Sequence, residues 1–165
     1  MFLPLCYNLL TPFLNNLLKE YNFYNSDKWE KAYFDKNSGG YLVIDKQRLA
    51  HSALSKNEKE KFRKELNMAM VLANNGYKIE LLKEIPRVPS PDITIDGVLA
   101  ELKKLLSHSN IVREAKEAIY KKGAKMVIFE FETMSGKIHN ELNRLKDMGI
   151  KVKYFISKDK VVIDL

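Results

Sequence analysis

Cysteine is almost absent from this chain: Cys6 stands alone among 165 residues. One thiol cannot close an internal disulfide or build a cysteine-based zinc site, so nothing argues for an oxidising compartment and cytoplasmic action is the default expectation. Histidine is sparse as well. His51, His108 and His139 are far apart in sequence and match no recognisable ligand spacing. The chain has neither a glycine-rich phosphate loop nor a G-x-S-x-G elbow, and no internal repeat or low-complexity linker. The opening residues Met1-Phe2-Leu3-Pro4-Leu5-Cys6 are apolar but lack a cationic flank. Pro12, Asn15 and Asn16 interrupt the run before it can span a bilayer, so neither a signal peptide nor a membrane anchor is expected.

What is present is enough apolar material for one core and a surplus of positive charge. Hydrophobic residues make up 45% of the chain and the formal net charge is +7, carried mainly by lysine. The first figure permits folding without metals or disulfides, and the second favours a polyanionic partner such as nucleic acid. Leu5, Leu9, Phe13 and Leu17, flanked by Leu10, Leu14 and Leu18, recur at helical spacing and predict a core-capping helix. Aromatic residues are scattered through 20–50, ahead of a turn at Asn37-Ser38-Gly39-Gly40 and a short strand at Tyr41-Leu42-Val43-Ile44. Residues 1–50 therefore read as an N-terminal extension, mostly helical, attached to an α/β domain over 51–165.

Within that domain the signals sharpen. Ser55-Lys56-Asn57-Glu58 is a capping box that opens a helix running to Asn75, where Gly76 stops it. Phe62, Leu66, Ala69, Leu72 and Ala73 form its buried stripe, and Glu65 lies on the same side, where an acid needs a partner. Strands follow at 77–82, 93–95 and 98–103, then a helix over 111–122 ahead of Gly123. A buried strand at 126–131 precedes a helix opened by Ser135-Gly136 and stopped by Gly149, and strands at 152–156 and 161–163 close the chain. This order predicts a mixed central β-sheet flanked by helices.

Asp96-Gly97, between two apolar runs, predicts a two-residue type I′ hairpin. That turn pairs Ile95 with Val98, Thr94 with Leu99, Ile93 with Ala100, and Asp92 with Glu101. Two opposed carboxylates repel unless a cation lies between them. A divalent ion, Mg²⁺ or Mn²⁺, held by Asp92 and Glu101 with the Leu102 carbonyl as a further ligand, turns the repulsion into coordination. Lys103, two residues beyond Glu101, shares its face and can approach the same ion-bound phosphate. Glu65 is a candidate additional ligand or water-orienting group. Lys104, His108, Arg113 and Lys116, with Lys121 and Lys122, are candidates to track a nucleic-acid backbone.

Pro91-Asp92 followed by Glu101-Leu102-Lys103, set after Gly76-Tyr77-Lys78-Ile79 and before a helix, resembles the core motif of PD-(D/E)XK nucleases over roughly residues 55–131. The resemblance implies a restriction-endonuclease-like core, with Asp92 and Glu101 as metal ligands, Lys103 as the catalytic lysine and Glu65 as the helix acid of some branches. The Ser-Pro-Asp, Asp-Gly and Glu-Leu-Lys elements are also similar to C-terminal nuclease domains of contact-dependent growth inhibition toxins. That likeness implies a tRNA or DNA substrate and an immunity or inhibitor protein as partner. Two alternatives stay open at this level. One is a non-catalytic basic module that binds nucleic acid or another protein. The other is a metal-independent ribonuclease using His108 or His139 as general acid and base.

Overall fold

The computed structural model describes residues 7–165, with side chains described from residue 11. Leu5 of the N-terminal leucine stripe lies outside the described residues. Eight strands form one sheet in chain order: β1 (Trp29–Phe34), β2 (Tyr41–Asp45), β3 (Lys78–Leu81), β4 (Ile93–Ile95), β5 (Val98–Leu105), β6 (Met126–Phe131), β7 (Val152–Ile156) and β8 (Ile163–Asp164). Among the described residues five helices accompany them: α1 (Tyr7–Phe23), α2 (Lys46–Ser52), α3 (Lys56–Asn74), α4 (Ile111–Tyr120) and α5 (Gly136–Asp147). β2 to β3, β5 to β6 and β6 to β7 are parallel, and each such step carries a helix in its crossover; the other neighbours are antiparallel. The architecture is the mixed α/β sheet flanked by helices that the order of elements predicts.

Local chemistry explains the boundaries. The Ser55 hydroxyl accepts from the Glu58 amide at 3.1 Å and opens α3, and Gly76 ends it at φ 89°, a left-handed conformation costly for any residue with a Cβ. Ser135 caps α5 in the same way, accepting from the Ile138 amide. At the hairpin, Asp96 (φ 48°) and Gly97 (φ 79°) both take positive φ, the signature of a type I′ turn, and the register is Ile95↔Val98, Thr94↔Leu99 and Ile93↔Ala100. Some edges fall elsewhere than expected. β5 runs to Leu105, α4 ends at Tyr120, the Ser107 hydroxyl caps nothing, and β8 is a two-residue exposed strand displaced toward the C-terminus.

The sheet is buried on both faces. Leu42, Ile79, Leu81, Ile93, Ala100, Leu102 and Ile128 pack against Met68, Ala69, Leu72 and Ala73 of α3. Val127, Phe129, Phe131 and Val152 pack on the other face against Ile111, Ala115 and Ala118 of α4 and Ile138, Leu142 and Leu145 of α5. Neighbouring residues of β6 thus serve opposite cores, which is why that strand reads as an unbroken apolar run. Residues before 51 enter the same sheet through β1 and β2, and Tyr21 of α1 and Tyr24 just past its end pack on Trp29, Tyr41 and Val43. Of the leucine stripe, Leu17 is buried, whereas Phe13 and Leu18 are exposed.

Candidate active site

β4 and β5 part company at the site. Their ladder ends at Ile93↔Ala100, while β5 continues beside β6 as far as Leu105. The amides of β5 beyond Ala100 have lost their β4 partners, and a buried amide left unpaired is costly. Asp92 meets this need from the mouth of the fork: its Oδ2 accepts from the Leu102 amide at 2.9 Å, and its carbonyl accepts from the Leu82 amide at 2.9 Å. Asp92 therefore faces Glu101 across a fork rather than across a continued ladder. Leu102, expected as a carbonyl ligand, engages the acid through its N–H and places its side chain in the α3 core.

Alternation along β5 sends Glu101 and Lys103 toward the α4 face, where their ladder partners Val127 and Phe129 point. Glu101 is almost fully buried. Its Oε1 accepts from Nζ of Lys122, just past the end of α4, and lies 3.2 Å from Nζ of Lys103; its Oε2 is buried and makes no hydrogen bond. Glu65 arrives from the opposite face on α3 and reaches the same opening because no strand fills the fork. It is buried, held by Arg48 of α2 at 2.5 Å, with Lys61 at 3.9 Å. The acid on the apolar stripe thus has its partner, contributed by the first fifty residues.

Glu65, Asp92 and Glu101 line one cavity of about 230 Å³ together with Lys61, Lys64, Lys103, Lys104 and Lys122. The electrostatics match this convergence. Burial first, and then the charge of Asp92, pushes the Glu101 carboxyl up to about 7 against the pull of Lys122 and Lys103. Burial and Asp92 also raise Glu65, with Arg48 opposing. Burial lowers Lys103, but Glu101 and Glu114, the latter at 3.2 Å, outweigh it and hold this lysine above its ordinary range, firmly cationic. Among the described residues, three donor atoms lying within 4.8 Å of one another occur at His51, Glu58 and Glu84, not at the acids of the fork, which are held by amines and an amide.

The other sequence candidates separate. Lys104 lines the cavity and pairs with Glu130 at 2.9 Å. Arg113, largely exposed, pairs with the neighbouring Glu114, and Lys116 lies on the solvent face of α4; neither lines the cavity. His108 sits in a 3-10 turn (His108–Asn110) and His139 on the exposed side of α5, and neither adjoins the acids. Sequence reading passed over Arg48, Lys61 and Lys64, and gave Lys122 no special place. Arg48 has a detectable cause in Glu65, an acid requiring a cation, but nothing in the chain order says which cation answers it.

No family model matches this chain, and no curated protein matches it. Among solved structures, it is similar to a chain of the "CdiA-CT/CdiI toxin and immunity complex from Burkholderia pseudomallei", with a TM-score of 0.54 and 19% sequence identity, over 68% of this chain and 90% of that one. At that identity the likeness is one of fold: this chain shares its mixed α/β architecture with a protein of that toxin and immunity complex.

Proposed function

We propose that this chain is a metal-dependent endonuclease of the PD-(D/E)XK type, acting as a toxin domain that an immunity protein neutralises. The observation that carries the reading is Glu101: a buried carboxylate with one oxygen lacking any partner, facing Asp92 in a cavity ringed by lysines. A divalent cation fits that donor set. Asp92 and Glu101 would hold it, with Glu65 lining the same cavity as a further acid, and carboxylate oxygens leave room for water and phosphate around Mg²⁺ or Mn²⁺. Bound there, the cation would lower the pKa of a water and offset charge on the scissile phosphate.

The remaining work falls to the chain itself. Asp92 stays fixed because Leu102 donates to it. Without a cation Glu101 is held near neutrality, so it would give up its proton on taking up the metal. Lys103 is too firmly protonated to serve as a base and acts as fixed positive charge toward the phosphate. Lys122 is a second cation on the same carboxylate and lines two adjoining cavities, so it is placed to follow a phosphate as substrate enters. Lys61, Lys64 and Lys104 extend the positive lining and receive the neighbouring backbone.

The toxin assignment rests on the fold shared with the toxin and immunity complex and on the Ser-Pro-Asp, Asp-Gly and Glu-Leu-Lys elements. No described helix is long and apolar enough to cross a membrane. Total tRNA, plasmid DNA and single-stranded DNA incubated with the chain, in Mg²⁺ or in EDTA, test the activity and name the substrate. Metal-dependent cutting of one of them is expected; intact substrates throughout would leave the basic-module reading in its place.

A further inference from the structure

A second group of donors lies apart from the fork, where α2, α3 and the segment leaving β3 meet. His51 Nδ1 is 3.4 Å from Glu58 Oε2 and 3.7 Å from Glu84 Oε2. The three residues offer donor atoms all within 4.8 Å of one another. His51 Nδ1 and Glu58 Oε2 are shut off from solvent, yet neither makes a hydrogen bond. The two atoms face each other at 3.4 Å in side chains about a third exposed, and the cost of shielding both from water is one that a shared cation would remove.

The spacing suits a metal ion. Metal–ligand bonds of about 2.0–2.2 Å in a tetrahedral array set neighbouring donors roughly 3.3–3.6 Å apart, and the two separations from His51 Nδ1, 3.4 and 3.7 Å, lie close to that range. One imidazole with two carboxylates is a zinc donor set that leaves a fourth position for water. The surroundings already orient the ligands. Glu84 commits Oε1 to Lys61 and to Arg48 at 3.2 Å, so Oε2 is left turned toward His51. Glu58, Glu65 and Glu84 set against Arg48 and Lys61 leave one net negative charge when His51 is neutral, so a cation is attracted rather than repelled.

We propose that His51, Glu58 and Glu84 form a Zn²⁺ site, distinct from the nuclease cavity, that ties α2 and α3 to the segment leading from β3 to Asp92. The site is structural in effect. It fixes the carboxylate on which Arg48 and Lys61 rest, and through these two the position of Glu65. It does not depend on the nuclease reading, since none of its three donors lines the acidic fork.

The test uses the full chain carrying Glu101→Gln, which disables the fork as a metal site. After stripping and equilibration with Zn²⁺, this chain should retain one equivalent and melt at a higher temperature than its metal-free form. Adding His51→Ala should abolish both effects. Co²⁺ in place of Zn²⁺ should give the intense visible bands of a four-coordinate ion, and Zn²⁺ should displace the Nδ1 resonance of His51 in nitrogen NMR. These two readouts need no change at His51, so they decide the matter even if that variant fails to fold. No zinc retained, zinc undiminished by His51→Ala, or an unmoved His51 resonance would each overturn the site and leave His51 a proton-bearing partner of the two glutamates.

Discussion

Lys122 Nζ, just beyond the end of α4, donates to Oε1 of Glu101 on β5. The cation nearest the buried acid therefore comes from a different element than the lysine of the Glu-Leu-Lys motif. Lys103 divides its charge between Glu101 and Glu114, both at 3.2 Å, whereas Lys122 has Glu101 as its acidic partner. Lys122→Ala should lower kcat by about 10²–10³-fold, the usual cost of losing one charge stabiliser at a phosphate or oxyanion. Lys103→Ala should cost less. Single-turnover cleavage rates of the two variants check the order.

Glu101 makes stability depend on pH in an unusual direction. Its folded pKa of about 7 lies above the ordinary value of 4.5, so between these limits the folded state binds more protons than the unfolded one. Stability is therefore lost as pH rises through that window, in the absence of metal. Glu101→Gln removes the penalty. The variant should be more stable than the parent by ~2 kcal/mol at pH 8 in EDTA and no more stable at pH 4. Urea denaturation at the two pH values measures the difference.

The same titration governs activity. A proton on Glu101 competes with a cation, so the cleavage rate at sub-saturating Mg²⁺ should fall about tenfold per pH unit below roughly 7. Raising Mg²⁺ should move the midpoint to lower pH. A rate profile from pH 5 to 8.5 at two metal concentrations displays the shift.

Arg48 and Glu65 form a buried pair at 2.5 Å, with Arg48 nearly inaccessible to solvent. Breaking one side strands the other charge, so Arg48→Met should destabilise the fold by about 3–5 kcal/mol. Replacing both residues, Arg48→Met with Glu65→Leu, should recover most of that loss. A double-mutant cycle by thermal or urea unfolding gives the coupling.

Most of the fold was legible because its signals are local. Ser55 and Ser135 announce helix starts through their own hydroxyls, Gly76 and Gly149 announce stops, and Asp96-Gly97 fixes the register of three cross-strand pairs. Asp92, Glu101 and Lys103 were legible for the same reason, since the turn counts outward to them. What escaped depends on distance in the chain. β4 lets go of β5 at Ile93↔Ala100, one pair short of Asp92 and Glu101, so the fork, and the Asp92 contact to the Leu102 amide, cannot be counted from the turn. Arg48 and Lys122 reach the acids from other elements brought together only by packing on the sheet, whereas Lys61 stands four residues before Glu65 on α3 and its contact is local.

The central claim is that Glu101 and Asp92 gather one divalent cation at which nucleic acid is cut. Single-turnover cleavage of the preferred substrate, measured across a Mg²⁺ titration for the parent chain and for Glu101→Gln, tests it most directly. The parent rate should rise to saturation with Mg²⁺ and vanish in EDTA, while Glu101→Gln stays at baseline with its fold intact by circular dichroism. A parent chain that cuts equally well in EDTA, or a Glu101→Gln chain that cuts at the parent rate, would contradict it.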